Sequence, residues 1–90
     1  MTTRRQPSGS EWRYYDHAVP NVNPNTFLLP SKPKVDQNNI PIVLLYLSGI
    51  LMEIAVDYEI DAADDQTVNW LNVAIALVQG DVINIWYVEQ

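Results

Sequence analysis

The only imidazole of the chain, His17, directly follows Asp16. A carboxylate beside an imidazole is the pairing that acid–base enzymes use to fix a ring's tautomer and orientation. That chemistry also needs a nucleophile or metal within hydrogen-bond reach, held on rigid structure. The surrounding stretch, Glu11 to Pro20 (EWRYYDHAVP), offers three aromatics and an arginine instead, with no serine or cysteine in a strained turn. His17 therefore reads as an exposed or interface residue with at most a mild pH sensitivity.

The second chemical candidate is the acidic run Asp57 to Asp65 (DYEIDAADD), with five carboxylates in nine residues. Asp57, Glu59 and Asp61 copy the first three ligand positions of an EF-hand loop. The loop's sixth position, where a sharp turn needs glycine, is Ala62, and its twelfth, where a bidentate glutamate belongs, is Val68. The motif fails at both diagnostic points, so a solvated strand face running into a helix cap is expected, with no metal. Phosphate cradles are absent too, because Gly9, Gly49 and Gly80 lie far apart. No catalytic residue and no cofactor is expected.

These residues sit on a chain of 90 residues, which bounds it to one domain with a small core. There is no cysteine, so neither a disulfide nor a thiolate site can support it. All five basic residues (Arg4, Arg5, Arg13, Lys32, Lys34) precede position 35: residues 1–37 carry a net charge of +2 and residues 38–90 a net −8. A body with no positive charge is repelled by phosphates, which argues against nucleic acid as a partner. Arg4 and Arg5 lead into QPSGSEW, not an apolar run, so no secretion signal is read, and cytoplasmic synthesis is expected. The most apolar run, Ile40 to Met52, reaches 13 residues where a spanning helix needs about 20, so no membrane partner is expected.

Five of the six prolines precede Asn38. Each removes a donor and holds its neighbour extended, which predicts an extended arm over residues 1–38, flexible in its first ten residues. Within it TFLLP, Thr26 to Pro30, suits a short edge strand. Residues 39–90 are expected to form a compact acidic α+β domain. In Ile50 to Asp61 one parity is apolar throughout (Ile50, Met52, Ile54, Val56, Tyr58, Ile60) and the other carries Leu51, Glu53, Ala55, Asp57, Glu59 and Asp61, the signature of a half-buried strand. It is joined through Ser48 and Gly49 to the apolar run IPIVLLYL, which suggests a hairpin, with a single helix over 41–58 as the competing possibility. Asp65, Asn69, Asn72, Ala76 and Gln79 recur at helical spacing, predicting a helix capped by Asp64 or Asp65 and stopped by Gly80. VINIWYV, Val82 to Val88, reads as a last strand parallel to Ile50–Asp61. The expected body is thus ββαβ, a three-stranded sheet with one helix.

Trp70 and Trp86 then belong to the core, whereas Trp12, Tyr14 and Tyr15 lie on the arm and must be buried somewhere. Trp12, Arg13, Tyr14, Tyr15 and Phe27 are the expected partner-binding residues, because tryptophan, tyrosine and arginine concentrate binding energy at interfaces. The function this suggests is a non-enzymatic structural subunit that clamps a larger protein assembly through its arm, such as a virion accessory or decoration protein. Its partners would be other protein subunits, with a homo-oligomer also open. The alternative is a small acidic inhibitor or immunity-type protein whose Asp57–Asp65 edge blocks a basic site on a target.

Overall fold

In a computed structural model, which describes residues 12–90, the chain runs through seven strands. They are β1 (Trp12–Ala18), β2 (Thr26–Leu28), β3 (Val43–Leu47), β4 (Ile50–Leu51), β5 (Tyr58–Ile60), β6 (Thr67–Trp70) and β7 (Val82–Val88). One sheet has the order β1-β7-β3-β4 and the other β2-β6-β5, and all pairings are antiparallel. Among the described residues there is no helix, and so none long and apolar enough to cross a membrane. The expected α+β class and its ββαβ body are therefore corrected to an all-β arrangement of two antiparallel sheets. The expected flexible stretch of the first ten residues lies outside the described ones.

The core lies between the sheets. Alternate residues of β3 (Val43, Leu45, Leu47) and β7 (Ile83, Ile85, Tyr87) are buried together with Phe27 of β2, Tyr58 of β5 and Val68 of β6. Two contacts tie the layers directly. The Tyr58 hydroxyl donates to the carbonyl of Val43 at 3.3 Å, and the His17 ring stacks on Phe27 at 4.0 Å between centroids. Burial pushes the Tyr58 phenol up to about 12, so it stays a neutral donor.

Each correction has a local cause. The stretch expected as a helix over 65–79 begins as β6, where Val68 is fully buried and Thr67, Asn69 and Trp70 are half-buried. Val68 and Trp70 share one face by period two, and β-branched Thr67 and Val68 suit a pleat. Beyond Trp70 the chain turns, because Asn72 bonds local backbone in place of a helix ladder: its side-chain oxygen accepts from Ala74 N–H and its carbonyl from Ile75 N–H. The Trp70 indole donates to the carbonyls of Asn72 and Ile75, and the Asn72 amide to Asp57 at 2.7 Å. Gly80, at φ 96°, leads into β7.

The single strand expected over Ile50–Asp61 is split between the sheets. Ser48 and Gly49, both at positive φ, close the hairpin of β3 and β4 as a two-residue turn requires. The chain then leaves that sheet at Met52, turns through Ala55 at φ 71°, and enters the other sheet at Tyr58. The apolar parity survives this crossing because Met52 and Tyr58 both point into the shared core. The last strand is antiparallel to its neighbours, since it pairs with β3 and β1 and not with the Ile50–Asp61 segment.

Residues 12–38 are built into the same sheets. β1 pairs with β7 along its full length, β2 pairs with β6, and Val19, Phe27 and Leu29 are buried in the core. Farther on, Lys34 N–H donates to Val88, Gln90 N–H to Lys32, and the Ser31 and Tyr87 hydroxyls meet at 2.7 Å. Deleting residues 1–37 removes two strands and exposes Ile83, Ile85 and Val68. The truncated chain is expected to lose its β-type far-UV circular dichroism and its cooperative unfolding transition; a cooperatively unfolding fragment 38–90 would contradict this packing.

Candidate functional site

The sheet β1-β7-β3-β4 has one face turned to the core and one turned outward, and antiparallel register fixes which residues share the outer face. Tyr14, Trp86 and Leu44 lie side by side across β1, β7 and β3. The next row is Asp16, Asn84, Tyr46 and Leu51; Trp12 and Val88 form the row on the other side, and Ala18 and Val82 flank the far end. Trp12, Tyr14, Leu44, Leu51, Val82 and Trp86 are all exposed, Tyr14 by 50% and Trp86 by 42%, while Val88 is buried at the rim. The Tyr14 and Trp86 rings contact each other with centroids 4.6 Å apart and planes tilted by 47°. Two such large aromatics open to solvent on one sheet face make an exposed apolar patch of the kind that marks interaction surfaces.

One charge stands within this face. Asp16 Oδ1 accepts from the Asn84 amide at 2.7 Å, and the same amide reaches the Tyr14 hydroxyl at 3.2 Å. Hydrogen bonds from the Tyr14 hydroxyl first, and from Asn84 second, hold the Asp16 carboxyl below its ordinary range. The bond to Asp16 in turn raises the Tyr14 phenol. The face thus presents a fixed anion at its middle, rimmed by tryptophan, tyrosine and leucine.

The five expected partner-binding residues separate by the parity of their strands. Trp12 and Tyr14 belong to the outer face. Tyr15 is half-buried against the core, and Phe27 is buried under His17. Arg13 forms an ion pair with Glu89 at 2.7 Å. The residues that sequence reasoning left out of the site are Asp16, Asn84, Leu44, Leu51 and Trp86, the last expected in the core but exposed on the outer face. For Trp86 and Asn84 the signal was the alternation within VINIWYV, which places Ile83, Ile85 and Tyr87 on one face and Asn84 and Trp86 on the other. Comparison with known proteins adds no relative: no family model, no curated protein and no solved structure matches the chain.

The other chemical candidates are absorbed by the fold. Asp57 accepts from Glu53 N–H and Asn72, Asp61 from Ala63 N–H, and Asp64 from the N–H groups of Gln66 and Thr67. The Glu53 N–H and then the Asn72 amide hold the Asp57 carboxyl below its ordinary range, and the Thr67 hydroxyl, followed by the Thr67 and Gln66 N–H groups, holds Asp64 below its own. The acidic run therefore pins the loops around β5 and β6, and among the described residues no cluster of three His, Asp or Glu is arranged to hold a metal. Two shallow clefts of about 350 and 360 Å³ adjoin at Asn39, Pro41 and Ile60, and neither is lined by a histidine, a hydroxyl or a basic side chain.

His17 is spaced from Asp16 by the strand itself: Asp16 faces outward and the imidazole faces Phe27. Its Nε2 is shielded from solvent and has no hydrogen-bond partner among the described residues. Desolvation pushes its pKa below the ordinary 6.5. The unfolded chain therefore binds a proton more readily than the folded one, so stability is full above the unfolded pKa and declines as pH falls from about 6.5 toward the folded value. Urea midpoints should fall between about pH 7.5 and pH 5.5 in the wild type and stay level in His17→Leu over that window. An equal slope in both proteins would remove His17 as the cause.

Proposed function

We propose that this protein is a non-enzymatic structural subunit that docks into a larger protein assembly through the outer face of β1-β7-β3-β4, as a virion accessory or decoration protein would. The observation that carries this reading is the exposed group of Trp12, Tyr14, Leu44, Leu51 and Trp86 on a chain whose core is already filled between its two sheets. Interface hot spots are enriched in tryptophan and tyrosine, and clusters of them sit where water is excluded on binding.

The partner this face fits is a protein surface with an apolar centre and an arginine or lysine placed over Asp16. Asp16 is the one charged side chain on the outer rows of the strands, and its carboxylate is already oriented by Asn84. The whole chain carries a net −6, which favours encounter with a basic surface. Because the aromatic side chains are fixed by strand pairing, little backbone entropy is lost when they dock. The acidic-inhibitor alternative gains less support, since the carboxylates of Asp57, Asp61 and Asp64 are committed to their own loops.

Co-purification from the natural source, followed by binding measurements on the recovered partner, tests the reading. Trp86→Ala and Tyr14→Ala should each weaken binding by about 30-fold or more, with β-type circular dichroism unchanged. Val73→Ala, at a position 96% exposed in a distant loop, should leave affinity unaltered. Undiminished binding by the Trp86→Ala, Tyr14→Ala double variant would overturn the assignment of this face.

A further inference from the structure

We propose that β1 is the pairing edge for a second copy of this chain, two molecules joining antiparallel through Trp12–Ala18 so that their four-stranded sheets become one continuous sheet. The proposal does not rest on the docking reading above; it concerns the edge of the sheet and not its face.

β1 differs from every other edge in the fold. β4 at the opposite end of its sheet has two residues, and β2 and β5 at the edges of the smaller sheet have three each. β1 has seven, in unbroken register with β7, and Trp12–Ala18 contains no proline, glycine or lysine. Proteins commonly blunt a free edge by shortening it, bulging it or placing proline or lysine on it. A long regular edge whose two charges, Arg13 and Asp16, are engaged by Glu89 and Asn84 within its own chain is a template for another strand.

The hydrogen-bond phase of β1 is fixed by its end. Val19 N–H donates to Asp81 at 2.8 Å, and the Val19 carbonyl accepts from Gly80 at 3.1 Å, so the backbone of Val19 faces β7. On the other side of β7, Val88 N–H donates to Ile42, which turns the even-numbered residues of β7 toward β3 and leaves the odd ones for β1. Antiparallel alternation then directs the backbone groups of Arg13, Tyr15 and His17 inward, and those of Trp12, Tyr14, Asp16 and Ala18 to the edge that no described strand pairs.

A two-fold axis perpendicular to the sheet keeps inner faces with inner faces, so paired residue numbers must share parity. Centring the axis on Tyr15 satisfies this and the bonding phase at once. It sets Tyr14 against Asp16, Trp12 against Ala18, Arg13 against His17, and Tyr15 against itself. Each even-numbered pair exchanges two bonds, giving about eight across the junction. The side chains suit the register: a phenol meets a carboxylate, the largest side chain meets a small one, and no like charges lie opposite each other. Such pairing would place Trp12, Tyr14 and Trp86 of both copies on one side of a doubled sheet.

Sedimentation equilibrium at about 100 μM should give twice the 10.3 kDa chain mass. Tyr14→Pro deletes an edge-facing donor without touching the β7 ladder, and should give the single-chain mass with β-type circular dichroism retained. The chain has no cysteine, so Tyr15→Cys creates one thiol on the axis, where non-hydrogen-bonded partners lie about 4.5 Å apart between Cα atoms, within disulfide range. Under mild oxidation it should form a covalent dimer about tenfold faster than Val73→Cys, whose side chain sits in an exposed loop. A wild type of single-chain mass, a dimer that survives in folded Tyr14→Pro, or equal cross-linking of the two cysteine variants would each overturn the proposal. Should Tyr14→Pro fail to fold, the cysteine comparison decides alone.

Discussion

Strand β7 is the element on which the described fold depends. It lies between β1 and β3 and pairs with both, so it joins residues near the start of the chain to the hairpin in its middle. One alternating run also sets up both faces. Ile83, Ile85 and Tyr87 fill the core, and Asn84 and Trp86 hold the centre of the exposed one. Ninety residues give a small core, and β7 supplies three of its most deeply buried side chains. A polar residue at Ile85 would remove buried contact from β1 and β3 together, and displace the row that carries Tyr14 and Trp86.

The second sheet closes the core with Phe27, Tyr58 and Val68, and two of its links to the larger sheet use polar side chains. Tyr58 spends its hydroxyl on the Val43 carbonyl, and His17 spends its ring on Phe27. The carboxylates between positions 57 and 64 are likewise spent on loop amides that have no sheet partner, which satisfies backbone donors where β5 and β6 are short. What the described fold leaves over is the outer face of the larger sheet and the edge of β1 that no described strand pairs. The functional proposals rest on these two features, because His17, Asp57, Asp61 and Asp64 are each taken up by the fold itself.

Much of the strand content was legible from period two and from turn residues. The β3–β4 hairpin followed from Ser48 and Gly49, β2 from Thr26 to Pro30, and β7 from its branched and aromatic composition. The helix over 65–79 was misread because its polar residues recur at helical spacing by coincidence: Asn69 lies on a strand beside Glu59, and Asn72 and Gln79 lie in a turn and a loop. Long-range pairing was not legible. Nothing local in Trp12–Ala18 indicates that its partner is Val82–Val88, about 70 residues away, and proline-rich flanks concealed a regular strand between them. The same gap hid the site. Trp12 and Tyr14 were identified from residue type, yet their grouping with Trp86 and Leu44 depends on a register that only the sheet supplies.

Residue-resolved amide hydrogen exchange tests the central claim, that β1 is an integral strand held by β7. The account predicts that the amides of Arg13, Tyr15 and His17 are protected to a degree comparable with those of Leu44 and Trp86 on the β3–β7 ladder, and open together with them. Exchange of those three amides at the rate of an unstructured chain, while β3 and β7 stay protected, would make residues 12–18 a detached arm and contradict it.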